Sequence, residues 1–538
     1  MNASAIKLPL LAAAALSWAL AQIPAPSGVT IRTTTTLVQV SVSAHDGKGR
    51  PVEGLKKEDF EVLDNGKPQS IAVFHGERIA GGAAAPAAPP VPSGTFTNQL
   101  AENPSARGGY SVILLDWANT GFRNTARARE KAREMVNRLG PTERIGIYSF
   151  DRFGLKVVDE IGSPRAALLE KLKTLIGKQS PCYQEQLDGQ DDNSPNGDDN
   201  MANCGGPTPL AQEVKSFYVG QRITETLRTF EAIAAHLAGL PGRKALIWIS
   251  SGFPLQVDLR AAANQIFPEA IGGNTLFDSE VGRAMRKLNN ADVALYPVDA
   301  RGLSTDPVIS ADPVASADRF TWPTMDYFAE RTGGIAFHGR NDLDVGMQAA
   351  VEDVQASYTL GFYAPQDKSR AGLHKLSART LRPGVTLRYK EGYYVDAPGK
   401  LNKDDRKNGV SQALTALMDA TAIPIDIKAT RQKNTLKLRV SLRPDALALV
   451  QKGDRWQGAV EFITRFAKED GSESAPPVSR RIEVNLTQRN YEAAQRSGLL
   501  FSRTLEMSAK AASLRVLVRN DPSGEIGTLT IPAKDIAQ

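Results

Sequence analysis

The run Ser111-Val-Ile-Leu-Leu-Asp116 constrains this chain more than any other stretch. Four consecutive large apolar residues closed by a carboxylate, then Asn119, Thr120 and Gly121, then a helical pattern, describe a strand buried on both faces. Such a strand delivers its final Asp and the hydroxyls after it to the carboxyl edge of an α/β sheet, where these folds gather ligands. The same alternation recurs downstream. Strands are predicted at 144–150, 155–158, 245–252, 291–299 and from 335, with helices at 124–139, 163–175, 219–240, 281–290, 327–331 and 343–354. A doubly wound, Rossmann-like α/β unit follows for residues 108–342.

Period-two patterns flank that unit. Val38, Val40 and Val42 alternate with Gln39, Ser41 and Ser43, and Asp64-Asn-Gly66 reads as a tight hairpin turn. So few strands are too small a sheet to stand alone, so residues 28–78 are expected to pair with 343–397 in one β-sandwich into which the α/β unit is inserted. Residues 79–107, rich in Ala, Pro and Gly, read as a linker, as do the charged residues 398–410. Alternation returns over 411–538, which predicts a C-terminal β-sandwich.

Residues 1–21 carry Lys7, a short apolar run and Ala19-Leu-Ala21 before Gln22, the pattern of a signal peptide cut near Ala21-Gln22. A secreted or periplasmic protein is expected, with no transmembrane span. Only two cysteines occur, Cys182 and Cys204, flanking an Asp/Asn-rich tract in an insertion at 178–215; in an oxidising compartment they predict a disulfide-closed loop. The 65 basic and 59 acidic residues are mixed rather than striped, which argues against nucleic acid as a partner. The acidic tract lacks the ligand ladder of a calcium loop. Gly242-Arg-Lys244 lies after a helix and before a strand, the reverse of a phosphate loop.

Residues 108–342 resemble a von Willebrand factor type A domain, and 30–396 resemble the VWFA-related proteins abundant in acidobacterial genomes. The resemblance is carried by Leu114-Leu-Asp-Trp-Ala-Asn-Thr120, Leu240-Pro-Gly-Arg-Lys-Ala-Leu-Ile-Trp-Ile-Ser-Ser-Gly252, Tyr296-Pro-Val-Asp-Ala-Arg-Gly302, Ala329-Glu-Arg-Thr-Gly-Gly334 and Ser357-Tyr-Thr-Leu-Gly-Phe-Tyr363. It implies a metal-ion-dependent adhesion site at the top of the sheet, patterned Asp-x-Ser-x-Ser with a later Thr and a later Asp. Asp116 matches the first Asp, Thr120 stands for the second Ser, and Thr226 (or Thr224 in a shifted register) for the Thr. Ala118 replaces the first Ser, and Ser250 or Ser251 the later Asp. Asp116, Thr120 and Thr226 alone form a degenerate cage that holds Mg²⁺ weakly at most, because Mg²⁺ gives up its waters reluctantly. Asn119 sits at a position the pattern does not use.

The expected function is therefore protein–protein interaction or adhesion, with Asp116, Asn119, Thr120, Thr226, Ser250 and Ser251 on the binding face and another protein or a cell-envelope component as partner. Two other readings compete. One is an exported hydrolase acting through Ser251 or Asp299, although no Gly-x-Ser-x-Gly elbow or His-Glu-x-x-His is present and the five histidines are scattered. The other is a structural scaffold of β modules.

Overall fold

The computed structural model describes residues 35–76, 94–100, 109–139, 143–176, 209–253, 278–302, 317–355, 357–365, 372–395, 403–416, 418–507, 510–521 and 523–536. The signal segment 1–21, Cys182, Cys204, the acidic tract and most of 79–107 lie outside them. The described residues form a mixed α/β protein with several sheets and eight α-helices.

The central sheet has the order Val293–Asp299, Lys244–Ser250, Tyr110–Asp116, Arg144–Asp151, Gly154–Asp159; the first four strands are parallel and the last folds back antiparallel. Every residue of Tyr110–Asp116 is buried, because helices cover both faces. Val112 and Leu114 point into one core with the helices Pro209–Leu237, Asp278–Asn290 and Ala317–Thr332. Ile113 and Leu115 point into the other, with Phe122–Arg138, Arg165–Thr174 and Leu343–Gln355. One apolar run thus feeds two cores, as a parallel strand's two faces require. The helix beginning at Pro209 takes over residues 209–215, which the sequence reading gave to the insertion; proline's fixed φ suits a first helical turn. The segment from Ile335 contributes only one isolated bridge, Val298 to Phe337, and no further strand of the sheet.

Around this unit, Thr35–Asp46 runs antiparallel to Ser357–Pro365 and, at its far end, to Val385–Arg388, and Val73–Gly76 adds to Ser357–Pro365. A second sheet joins Phe60–Asp64 to Lys67–Gln69 and to Gly372–Thr380, which pairs with Gly392–Val395. Val40, Val42, Val62, Leu360 and Phe362 fill the space between the sheets. The hairpin at Asn65-Gly66 uses φ of 48° and 77°, the left-handed pair that Asn-Gly accepts readily.

On the polar face of Thr35–Asp46, Ser41 and Ser43 are buried too. The Ser41 hydroxyl donates to Asp292 at 2.6 Å, and the Ser43 hydroxyl to the Asp353 carbonyl at 2.8 Å. Asp353 is the centre of this joint. Its carboxylate lies 2.5 Å from His45 Nε2 and 2.8 Å from Arg388, and accepts the Tyr296 hydroxyl at 2.6 Å. Arg243 stands 3.9 Å away and donates to Tyr296 and to the Gly333 carbonyl. Beside it, Lys390 reaches Asp292 at 3.2 Å and the Asn289 carbonyl at 2.9 Å. Gly334 is glycine for a steric reason: a Cβ there would collide with the Leu295 backbone.

The C-terminal sandwich has one sheet ordered Leu499–Glu506, Thr435–Leu442, Ile425–Gln432, Thr95–Thr97, and another built on Arg455–Ala467, Ser513–Asn520 and Ile526–Pro532 with Glu473–Thr487 outside the first. Two expectations are corrected here. Residues 95–97, read as linker, form the edge strand opposite Asp426, Ile427 and Lys428. Asn98 fixes them by donating to the Ala420 and Ile423 carbonyls and accepting from Ile425 N. Residues 403–410, also read as linker, open the helix Lys403–Thr415. Its Val410, Ala413 and Leu414 pack on Ile463 and Leu517, and Arg406 pairs with Asp521 at 2.6 Å.

Burial pushes the Asp353 carboxyl up, but the His45 hydrogen bond and the charges of Arg243, His45 and Arg388 outweigh it and hold the pKa at about 2. Its contribution to stability is therefore complete above the ordinary carboxylate value of 3.8 and lost as pH falls through about 2, a loss of about 2 kcal/mol. Asp353→Ala, which strands three buried partners, should destabilise the joint by about 3–5 kcal/mol in denaturant titrations at neutral pH and flatten that acid limb. A change below about 0.5 kcal/mol would mean the joint carries no stability.

Candidate functional site at the carboxyl edge of the sheet

The six residues read as the binding face lie together at the ends of Tyr110–Asp116 and Lys244–Ser250 and on the helix Pro209–Leu237, and all six are buried. Asp116, the last residue of its strand, accepts Asn119 N at 3.0 Å as the chain turns back over it. The Asn119 amide then donates to Asp116 Oδ1 at 3.2 Å, Asp116 Oδ2 at 2.9 Å and Thr226 Oγ1 at 2.8 Å. Trp248 Nε1 donates to Asp116 Oδ2 at 2.8 Å from the neighbouring strand. Thr226 spends its own proton on the Arg222 carbonyl.

Thr120 and the two serines form a second layer. Thr120 Oγ1 accepts Ser251 N at 3.2 Å, Ser251 N also approaches the Asn119 carbonyl at 3.3 Å, and Ser250 Oγ donates to the carbonyls of Asn119 and Gly252. The structure thus bridges Asp116 and Thr226 through Asn119, and gives Thr120 to Ser251.

This arrangement does not fit Mg²⁺. The ion demands a near-octahedral set of oxygens and keeps several waters. Here an amide nitrogen, a donor with no lone pair to offer, stands between the carboxylate and the threonine at hydrogen-bond distance from both. A second donor, Trp248 Nε1, occupies Oδ2, and Ala118 contributes no oxygen. In the structure Asp116 and Thr226 are joined by hydrogen bonds through Asn119, and Thr120 bonds Ser251 N. Among the described residues no group of three or more His, Cys, Asp or Glu side chains is clustered as ligands.

Asn119 stands among the binding-face residues of the sequence, but without an assigned bond, because the metal pattern does not use its position; a short amide three residues after a strand-ending Asp is the shape of an Asx-type turn. In the sequence Trp248 is only one residue of the stretch 240–252 and has no assigned role. It is core, edge-on to Phe230 and Phe253 at 5.1 and 5.7 Å, but its one polar atom needs a buried acceptor and finds Asp116.

Asp299 and Ser251, the alternative hydrolytic residues, each have their own surroundings. Asp299 is held by Arg301 and by Trp322 Nε1 at 2.7 Å. Among the described residues Ser251 Oγ is buried without a hydrogen-bond partner, so no histidine is bonded to it as a base. His338 bonds Asp326 and stacks on Trp322, His236 bonds the Asp419 carbonyl, and His374 bonds Asp64.

Beside Ala118 a cleft of about 210 Å³ opens, lined by Phe150, Arg152, Phe153, Tyr218 and Glu225 among others. Phe153 is 59% exposed at its mouth, with Arg152 and Lys156 over its ring at 4.8 and 5.5 Å. Phe217, 68% exposed, meets Tyr218 edge-on at 5.6 Å.

Burial pushes the Asp116 carboxyl up to about 6, against the hydrogen bonds from Asn119 and Trp248. A folded-state value above the unfolded one gives stability that is complete below 3.8 and lost as pH rises through about 6, about 3 kcal/mol in all. Asp116→Asn should abolish that decline between pH 4 and 6 in thermal unfolding of the α/β unit. An unchanged slope would place the titration elsewhere.

No family model matches the chain, and no curated protein matches it. Among solved structures, proximal thread matrix protein 1 from the mussel byssus overlaps at a TM-score of 0.22 and 10% identity, covering 46% of this chain and 48% of that one, so the match spans about half of that protein's length. The SpRpn10 VWA domain overlaps at 0.20 and 8%, covering 45% and 94%. The N-terminal domain of TFIIH p34 overlaps at 0.20 and 10%, covering 46% and 99%. These are weak likenesses, one of them to a VWA domain, and at such scores they carry no argument.

Proposed function

We propose that this chain is an exported binding protein whose α/β unit, of the von Willebrand type A kind, engages another protein or a cell-envelope component without a metal ion. Signal cleavage near Ala21-Gln22 and a Cys182–Cys204 bridge belong to the same reading. One observation carries it: the carboxylate that an adhesion metal needs is sealed by Asn119 and Trp248, while the cleft beside Ala118 is lined by the exposed ring of Phe153 and the half-buried Tyr218. Exposed aromatics beside arginine are the side chains that dominate protein interfaces. Sealing Asp116 with neutral donors leaves those rings, and not a cation, as the recognition element. Among the described residues no helix is long and apolar enough to cross a membrane.

The test is affinity capture from envelope and culture-supernatant fractions on the immobilised protein, with Mg²⁺ calorimetry in parallel. A single partner should be retained equally with and without EDTA and by Asp116→Asn. Phe153→Ser should weaken its retention about tenfold, roughly 1.4 kcal/mol. Retention that needs Mg²⁺, or labelling of Ser251 by a serine-directed probe, would overturn the reading in favour of a metal-dependent adhesin or a hydrolase.

A further inference from the structure

The two sides of the C-terminal sandwich are finished differently. On one side Thr95–Thr97 adds to Ile425–Gln432 and closes that sheet. On the other, both sheets end bare: among the described residues Leu499–Glu506 pairs only with Thr435–Leu442, and Glu473–Thr487 only with Arg455–Ala467. The core is correspondingly uncovered there. Leu499, Phe501, Arg503 and Leu505 turn inward yet are only half-buried, and Val478 on the facing edge is 55% exposed.

Two arginines occupy this opening. Arg503 lies over the Phe462 ring at 6.0 Å, and Arg480, opposite Phe462 in the strand register, is its neighbour in charge. Among the described residues neither has an acidic partner, and Arg503 Nε is buried without a hydrogen-bond acceptor. Burial, and then the charge of Arg480, hold the Arg503 guanidinium below the ordinary arginine value, so the opening favours an incoming negative charge. Several other arginines of this sandwich are matched, as Arg519 is by Glu461 and Asp521.

We propose that this opening takes up an extended, acidic segment of a partner protein as an added strand against Leu499–Glu506. A strand fits better than a small anion because the opening offers a row of unpaired backbone groups and a half-covered apolar floor as well as charge. Leu499–Glu506 is the receiving edge. The facing edge carries Pro476 and Pro477, which have no N–H to give, whereas Leu499–Glu506 has no proline. The added strand places apolar side chains over Phe501 and Leu505 and a carboxylate against Arg503 and Arg480. This surface lies on a different unit from the Ala118 cleft, so neither proposal depends on the other.

The test uses the full chain and a fluorescein-labelled octapeptide of alternating valine and threonine with one central glutamate, followed by fluorescence anisotropy. Saturable binding is expected, with slowed amide exchange over residues 499–506. Replacing the glutamate by lysine should weaken it at least tenfold, as should Arg503→Met, which keeps an apolar stem over Phe462. Arg480→Gln, at an exposed position, gives the same direction without touching the core. Alternate N-methylation of the peptide should abolish binding. No saturation up to about 1 mM, equal affinity for the lysine or N-methylated peptide, or sedimentation showing that two copies of the chain pair through this edge would each overturn the proposal.

Discussion

The buried carboxylate of Asp353 is the interaction on which the joining of the N-terminal sandwich to the α/β unit depends. It collects His45 from the first strand, Arg388 from a late strand and Tyr296 from the central sheet, with Arg243 behind. Each partner comes from an element whose apolar face is committed to its own core, so apolar packing alone would leave their relative placement open. Buried charge costs several kcal/mol per ion unless every lone pair is met, and a wrongly docked arrangement would meet few of them. Asp292, shared by Ser41 and Lys390, repeats the device a short distance away. The joint trades raw stability for a single orientation.

The carboxyl edge shows a different use of the same chemistry. At Asp116 the buried charge faces no cation. Two neutral N–H groups, from Asn119 and Trp248, supply partial positive charge through fixed dipoles. They compensate less completely, which is why this carboxyl titrates near 6 whereas Asp353, facing full charges, titrates near 2. The edge becomes a rigid floor beside the cleft that holds Phe153.

Much of this was legible in the chain. The run ending at Asp116, the Asn65-Gly66 turn and the Val38, Val40, Val42 alternation each state a local rule, and the structure obeys it. What was not legible depended on a partner far along the chain. Ser41 and Ser43 look like a solvent face until a second unit covers them. Thr95–Thr97 is too short and too polar to announce itself as a strand; only the free edge at Ile425–Gln432 makes it one. The helix Lys403–Thr415 hides an apolar stripe of three residues under a charged surface. At the site, the six residues do meet at the strand ends, but the bonds they make there were not legible. Whether Asp116 meets a cation or an amide is decided by which way Asn119 turns, and spacing does not encode that.

The strand Thr95–Thr97 has a consequence for how the protein comes into being. Asn98 bonds to a carbonyl 325 residues further on, so on the ribosome the first piece of the C-terminal sandwich emerges long before the sheet it completes. During that interval the α/β unit is synthesised and can fold, which turns several hundred residues of loose chain into a compact spacer. Closing a loop already shortened in this way loses far less entropy than closing one of bare chain. The edge at Thr95–Thr97 can therefore close only after Ile425–Gln432 has been synthesised.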